Sequence, residues 1–590
     1  MSPAPLLGLG FGPSNLAIAI CLLEKGDAPH GVEFIEYNDK FKWHPGMMIK
    51  GSHMQISFLK DLVTLRNPTS SFSFLNYLHE NTRLLSFINL STFTPSRREF
   101  NDYLSWAAGK VVREGEPEGK IKVHYGESVS HVKAVLEREG EEWTVNTFKV
   151  ISRNKEGDVE REAKNLVVSL GGYPSIPKPF QAFHTQSSSP VSEETFQVYH
   201  TSQYLDVVEP LLKTLFPTPS MGKKSVRIAV VGAGQSSAEV FINLHDRISE
   251  LSLPEDATVH VDLFIRQTSL RPSDDSPFAN EIFNPNMTDL FYELGEGKEV
   301  GNPLNVLSLR EEGLGGIGDV QAEGRGESDG NGKAREKLLK EMKATNYSVV
   351  NAHTLQTLYE TMYNQKLETK SQPKLRILPN RKIVSVSTSP DCSRSLIFDI
   401  HNSLFTNAEE RIEYDAVFLG TGYKRDGWKG VLGLEVPAFD VTEEKAVMEV
   451  GLSEIFPQFI EPIQTSEVSP TPSSSSSSSR NSAAGDSDED ERLLSQSHLT
   501  NITTPSSFAA EESKRVSPSP TGRDWKVSRN YQLLIPRHFQ YRGRRGTFKP
   551  TVWLQGSNQA THGISDTLLS VISIRSQEMV DGFFKNGHFE

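Results

Sequence analysis

The strongest constraint on the fold is a strand, glycine turn and helix signature that occurs twice, about 220 residues apart. The first copy is Leu6–Ile20, LLGLGFGPSNLAIAI. It reads as a short buried strand, a tight turn and an apolar helix. Gly10 and Gly12 stand where the turn and a close backbone approach to a pyrophosphate require the absence of a Cβ. Pro13 follows, and Asn15 takes the third position, where glycine is usual. A helix starting near Ser14 would aim its free N–H groups and positive dipole end at the phosphates. The second copy is Val226–Val231 running into Gly232, Ala233, Gly234, Gln235 and Ser236, with Ser236 and Glu239 at capping-box spacing. One such turn is weak evidence of a nucleotide site. Two in one chain are far more specific.

The strand after each turn suggests which nucleotide it takes. Val32–Tyr37 carries Glu36, about 24 residues past Gly12, where a carboxylate can accept the hydroxyls of an adenosine ribose. Val261–Ile265 runs instead into Arg266, and a guanidinium there can pair with a 2′-phosphate, which favours NADPH over NADH. Taken singly, each residue also reads as a solvated charge at a strand end. A third apolar strand, Asp415–Tyr423 (DAVFLGTGY), ends in the small-residue turn that a sheet needs beneath a bound dinucleotide. Between these landmarks the pattern predicts a helix over Arg98–Ala108 and strands at Lys120–Tyr125, Glu141–Val145, Asn165–Leu170, Gln532–Ile535 and Val552–Leu554. A terminal helix is predicted from about Ser565. Residues 41–79 are rich in aromatics, Met and Gly without clear periodicity, a composition that commonly lines a ligand site.

Composition narrows the class. With 590 residues the chain can hold about two to four domains. A net charge of −13 with no long basic run argues against nucleic-acid or anionic-membrane partners. The two cysteines, Cys21 and Cys392, form no C-x-x-C, which disfavours a dithiol reductase or a disulfide-stapled secreted protein. No apolar run is long enough to span a bilayer, and the amino-terminal segment lacks the features of a signal peptide. A cytoplasmic protein is expected. No metal site is expected. Gly-rich, charged residues 301–335 read as a flexible insertion, and Ser-rich, acidic residues 466–522 as a disordered one.

Longer stretches carry a family resemblance. GFGPSNLAIA (10–19), KWHPGMMIKGSHMQISFLKDLVTLRNP (42–68), VGAGQSSAE (231–239), RPSDDSPFANEIFNP (271–285), ATNYSVV (344–350), LGTGY (419–423) and THGISDTLLS (561–570) resemble the L-ornithine N5-monooxygenases of siderophore biosynthesis. These are the N-hydroxylating branch of the flavin monooxygenases. The resemblance implies an α/β fold with two Rossmann-like dinucleotide-binding domains, the NADPH domain inserted in the FAD domain, plus a small substrate-binding region. The expected boundaries are 1–205 and 412–590 for FAD, 222–272 and 347–411 for NADPH, and 273–346 for substrate.

Position by position, the resemblance implies that Gly10, Gly12, Pro13, Asn15, Glu36, Trp43, His44, Gln55 and Val129 contact FAD, with Thr567, Leu568, Leu569 and Ser570 near the flavin end. Gly232, Ala233, Gly234, Gln235, Ser236 and Arg266 would hold NADPH, with Asn346, Tyr347 and Ser348 nearby. Lys60 and Asn280 would bind the ornithine carboxylate and amino group, beside Glu281, Ile282 and Phe283. Asn346 would offer its carbonyl, and Ser570 or Ser565 would lie near the amine. No catalytic acid or base is implied. The implied reaction is N-hydroxylation of the L-ornithine side-chain amine by O2 through a flavin C4a-hydroperoxide, in a homo-oligomer, a tetramer by family precedent. The sequence departs from the family pattern at Gly420, where Ala usually precedes TGY. An L-lysine N6-hydroxylase, a general flavin monooxygenase of sulfur and nitrogen substrates, and a catalytically silent nucleotide-binding protein remain as alternatives.

Overall fold

The computed structural model describes residues 2–26, 29–184, 191, 195–217, 225–254, 256–274, 276–285, 287–295, 330–367, 373–390, 394–404, 409–434, 446–457 and 525–585. Insertion 466–522 and residues 301–329 of the other insertion lie outside these; residues 330–335 begin the helix Gly330–Asn346.

Each glycine turn belongs to its own five-stranded parallel sheet. The first runs in the order Thr551–Leu554, Asn165–Val168, Leu7–Leu9, Val32–Glu36, Ile121–Tyr125. Side-chain alternation divides its burial: Leu6 and Phe34 pack with the first helix, Pro13–Glu24, the helix Arg97–Gly115 and the carboxy-terminal helix Ile572–Lys585. Leu7 and Leu9 face a second, mostly antiparallel sheet built around Ser128–Glu139 and Glu142–Arg153.

The second parallel sheet runs Lys374–Leu378, Thr258–Phe264, Ser225–Val231, Ala416–Leu419, Val198–His200. Ile228 and Val230 pack under the helices Tyr204–Leu215, Gln235–Ser249 and Ala352–Leu367, while Ala229 faces a three-stranded antiparallel sheet carrying Leu396, Phe398 and Ile400. The chain crosses between the two units as a short antiparallel pair, Tyr423 with Pro174 and Lys424 with Tyr173.

Four expectations need correction. The strand of DAVFLGTGY lies in the second sheet, and so does Val198–His200, although the boundaries 412–590 and 1–205 assign both to the first unit. Ala416–Leu419 pairs in parallel with Ile228–Val231 and carries Val198–His200 on its other side, and Gly420 then lies directly against the second turn, where its carbonyl oxygen would be 2.3 Å from any Cβ at Gly232. The Ser236–Glu239 capping box does not form, because the N-cap is Gly234 and Glu239 lies too deep in the helix, where it pairs with Arg97. Gln532–Ile535 forms only isolated bridges, since Ser528–Tyr531 is a tight turn with Tyr531 at φ +65°. The terminal helix starts at Ile572; before it, Asp566 accepts a hydrogen bond from Asn558 N–H (2.7 Å) and the chain makes two 3-10 turns. Among the described residues, no helix is long and apolar enough to cross a membrane.

Candidate functional site

A cleft of about 910 Å³ opens at the carboxyl ends of the first parallel sheet, where Gly10, Gly12 and Pro13 meet Glu36, Trp43, His44, Val129 and Thr567–Leu569. Gly10 has φ +86°, and a Cβ there would meet Ser169 O at 2.6 Å. Any other residue would be strained at this position. At Gly12 a Cβ would meet nothing within 4 Å, because it would point into open space ahead of the Pro13–Glu24 helix. Proline at the first helical position costs no hydrogen bond there. The buried Glu36 carboxylate accepts Phe11 N–H at 3.0 Å and Asn38 N–H at 3.0 Å, so the first turn itself holds the acid in place.

Three residues assigned to this cleft stand elsewhere. Asn15 is fully buried behind the turn: its amide donates to Gly10 O (2.7 Å), and its Oδ1 accepts from Ser169 Oγ (2.9 Å) and Gln555 Nε2 (3.1 Å). Gln55 is exposed and reaches the other unit, with Nε2 3.4 Å from Gln235 Oε1. Ser570 is buried and also absent from the cleft wall; its Oγ has no hydrogen-bond partner among the described residues.

Sequence reading missed Arg575, which lines the cleft while almost wholly buried. Its guanidinium donates to the Asp566 carbonyl, lies 3.5 Å from the Asp566 carboxylate and donates to Ser14 Oγ at 3.1 Å. A fixed positive charge thus stands at the mouth of the first helix, where an anion is already favoured. The available signal was a lone arginine in the otherwise uncharged run 567–576, TLLSVISIRS.

The second turn repeats this geometry with other residues. Gly232 has φ +137°, and a Cβ at Gly234 would find only Ser348 Cα, at 3.9 Å. Gln235 opens the helix and is held on several sides: Nε2 donates to Glu239 Oε1 (2.8 Å) and Thr354 Oγ1 (2.9 Å), and Oε1 accepts Asn351 N–H (2.7 Å). Glu239 in turn makes a two-pronged pair with Arg97 of the first unit, at 2.7 and 3.0 Å. Gly10 N–H binds Ile35 O and Gly232 N–H binds Phe264 O, so Glu36 corresponds to Ile265. Arg266, which is exposed, falls one residue beyond. Ala233 and Ser236 flank the same turn.

The residues expected around the substrate sit on two parts of the chain. Lys60 is half-buried in the irregular 51–73 segment. Its neighbour Asp61, which sequence reading passed over, fixes that segment. The Asp61 carboxylate accepts Val63 N–H, Thr64 N–H, Thr64 Oγ1 and Phe74 N–H at 2.6–2.9 Å, and burial pushes its pKa up. Asn280 ends a helical turn, and Glu281–Phe283 follow as a 3-10 turn leading to the helix Met287–Gly295. Ile282 and Phe283 pack on a small cluster of Met287, Leu290, Phe291, Met342 and Ile564. That cluster joins the 280–295 segment, the helix ending at Asn346, and the turn containing Ser565. Just past Asn346, the Tyr347 hydroxyl accepts from Gln559 Nε2 at 3.0 Å, and Ser348 adopts φ +59° beside Gly234. Burial pushes His200 and His562 down to about 4, so both rings are neutral at neutral pH.

Residues 3–301 and 329–425 match the model of the family described as L-lysine 6-monooxygenase/L-ornithine 5-monooxygenase. The chain is 35% identical to the L-ornithine N(5)-monooxygenase of Ceriporiopsis subvermispora, over 98% of each chain. It is 34% identical to that of Coprinopsis cinerea, over 98% of this chain and 96% of the other. Among solved structures it is similar to the ornithine hydroxylase PvdA from Pseudomonas aeruginosa, with 29% identity, 99% of each chain covered and a TM-score of 0.64.

Proposed function

The chain belongs to the L-lysine 6-monooxygenase/L-ornithine 5-monooxygenase family, and from that premise we propose that it hydroxylates the side-chain amine of L-ornithine at N5, with FAD, NADPH and O2. The product, N5-hydroxyornithine, suits hydroxamate siderophore biosynthesis. One observation carries the reading. A single small apolar cluster joins Ile282 and Phe283, the helix that ends at Asn346, and Ile564 just before the Ser565–Ser570 segment, while Ser348 lies against the second glycine turn. An amino-acid-sized site there would touch both nucleotide units. The preference for ornithine over lysine is supported by the names of the Ceriporiopsis subvermispora and Coprinopsis cinerea relatives, each an L-ornithine N(5)-monooxygenase.

The residues present fit both cofactors. The cleft has the volume of a small-molecule site, the space beyond Gly12 is free of protein atoms, and Arg575 with the helix N-terminus supplies positive potential for a pyrophosphate. Glu36 would accept ribose hydroxyls of FAD, with Trp43, His44 and Val129 along the wall and Thr567–Leu569 at the flavin end. In the second unit Gly232–Ser236 would hold the NADPH pyrophosphate and Arg266 its 2′-phosphate. The chemistry that bound FAD supplies, once reduced by NADPH, is activation of O2 for transfer of one oxygen atom to nitrogen. The chain's own residues bind and orient the amino acid. Lys60 would offer its ammonium to the α-carboxylate, and Asn280 can donate to the carboxylate or accept from the ammonium. The Asn346 carbonyl would accept from the amine end, and Ser570, whose Oγ has no hydrogen-bond partner among the described residues, would lie near the amine.

Homo-tetrameric assembly and a cytoplasmic location belong to the same reading. The first is supported by the exposed apolar side chains of Leu85, Ile88, Leu90 and Phe93, the second by the scarcity of cysteine. The functional test is a paired assay of NADPH oxidation and hydroxylamine formation with L-ornithine, L-lysine or no amine. Product that follows NADPH use only with ornithine is expected; product from lysine alone would move the assignment to the other half of the family. Lys60→Ala should raise the ornithine KM by about 10- to 100-fold with flavin reduction by NADPH unchanged. A slowed reduction step instead would remove Lys60 from the substrate site.

A further inference from the structure

The 280–295 segment, which would carry part of the amino-acid site, rests on a small apolar cluster with few buried side chains of its own. A polar anchor supplements that cluster from outside any motif noted in the sequence. Arg529 projects from the tight turn Ser528–Tyr531, where Tyr531 is buried in the core of the first unit. Its guanidinium makes a two-pronged pair with Glu578 of the terminal helix, at 2.9 and 3.0 Å. Its Nε donates to Asp289 Oδ1 of the Met287–Gly295 helix at 2.6 Å. One planar cation thus spans the terminal helix of the first unit and the helix that follows Asn280. A lysine, a point charge without the planar fork, would lose the two-pronged geometry with its separate Nε arm.

The same residue is tied to the 561–570 turn through its backbone. Its carbonyl oxygen lies 3.2 Å from His562 Nε2, and the His562 ring stacks on Tyr531 with centroids 4.4 Å apart. The adjacent Gly563 leaves room for Phe291, since a Cβ there would lie 2.7 Å from the Phe291 ring. The side chain of Arg529 therefore meets the 280–295 segment, and its backbone meets His562, three residues before Ser565 in the chain that leads into the Ser565–Ser570 turn.

We infer that Arg529 is a positioning residue for the amino-acid substrate, fixing the segment that carries Asn280 at a set distance from the flavin end of the first cleft. The inference rests on the substrate site proposed above. It assigns Arg529 no contact with substrate and no part in hydride transfer from NADPH, because the second glycine turn is held by Gln235, Glu239 and Arg97 instead.

The test uses purified, FAD-loaded full-length protein carrying Asp289→Asn, which weakens the arm to the substrate segment and leaves the Glu578 pair intact. Arg529→Lys is measured alongside. Steady-state kinetics give KM and the hydrogen peroxide released per NADPH oxidised, and anaerobic mixing gives the rate of flavin reduction. Asp289→Asn should raise the ornithine KM about tenfold and increase peroxide release, with flavin reduction within about twofold of wild type. Arg529→Lys should fall between the two. Wild-type KM and coupling in Asp289→Asn, with Lys60→Ala still impaired, would overturn the positioning role and leave the substrate site standing. Unchanged ornithine dependence in both variants would overturn the two together. A parallel loss of flavin reduction and ornithine affinity in Asp289→Asn would show general damage to the fold, and would equally overturn the inference.

Discussion

In both parallel sheets the glycine strand occupies the centre, flanked on one side by the strand that follows its helix and on the other by a strand returning from far along the chain. The hydrogen bonds at the two turns superimpose residue for residue. Gly10 N–H meets Ile35 O as Gly232 N–H meets Phe264 O, and Ser169 N–H meets Leu9 O as Gly420 N–H meets Val231 O. What differs is the edge that faces a nucleotide. The first unit places a carboxylate at Glu36, buried and held by the turn's own Phe11 N–H. The second places buried Ile265 at the equivalent position and exposed Arg266 one step further out. The same frame can therefore prefer different nucleotides. An acid built into the turn suits ribose hydroxyls, and an apolar residue followed by an exposed guanidinium suits a phosphate.

The sharpest way to break this comparison is to separate frame from reading edge. Gly10→Ala forces an L-residue into φ +86° with its Cβ 2.6 Å from the Ser169 carbonyl oxygen. The frame itself should fail, with a loss of more than about 3 kcal/mol seen as little folded protein. Gly12→Ala places its Cβ in open space at an ordinary negative φ, so the protein should fold normally yet purify without FAD. Thermal unfolding and the 450 nm flavin band distinguish the two. Flavin retained by Gly12→Ala would mean that the pyrophosphate does not pass over this turn.

A smaller effect is expected at the reading edge of the second unit. Arg266→Ala should lower kcat/KM for NADPH by roughly 10- to 100-fold, the worth of a charge-assisted hydrogen bond, and leave NADH little changed. Bound FAD should be unaffected, since Arg266 lies in the other sheet's unit. An equal loss with both nucleotides would assign Arg266 to the fold of the strand end and leave the 2′-phosphate without a reader.

Both glycine turns were legible because their requirements are local: a strand, a residue free of Cβ strain and a helix, all within about 15 residues. The return strands were harder. DAVFLGTGY is recognisable as a buried strand, but the sheet it joins depends on pairing across almost 200 residues, and both sheets would accept the same apolar run. The capping box at Ser236 was misleading because Glu239 finds a stronger partner in Arg97, a contact between the units that spacing along the chain cannot reveal. Asn15 was placed by analogy with a glycine that contacts the cofactor, whereas its side chain turns back to brace Ser169 and Gln555. Arg575, Asp61 and Arg529 escaped notice for a common reason. Each works by holding backbone or side chains distant in sequence, and none stands in a motif with fixed spacing.

The return strands also supply the smallest and most specific test. Asn15 and Ser237 are equivalent, five residues past their respective first glycines, and each faces its return strand. In the first unit the pair is a long amide against Ser169, with a direct hydrogen bond of 2.9 Å. In the second it is a short hydroxyl against Gly420, where a Cβ would come within 1.9 Å of Ser237 Oγ and 3.1 Å of Ser237 Cβ. The alanine usual before TGY thus conflicts with the serine at 237 unless that side chain turns away. Gly420→Ala should cost about 1–2 kcal/mol by overpacking, read from urea unfolding, and weaken NADPH more than FAD. Ser237→Ala removes the clashing oxygen, so the double variant should recover most of that loss, a coupling of favourable sign. Strict additivity would mean that Ser237 Oγ rotates away from the new Cβ, and that the cost of Gly420→Ala comes from the Ser237 backbone and Cβ, 3.4 and 3.1 Å away.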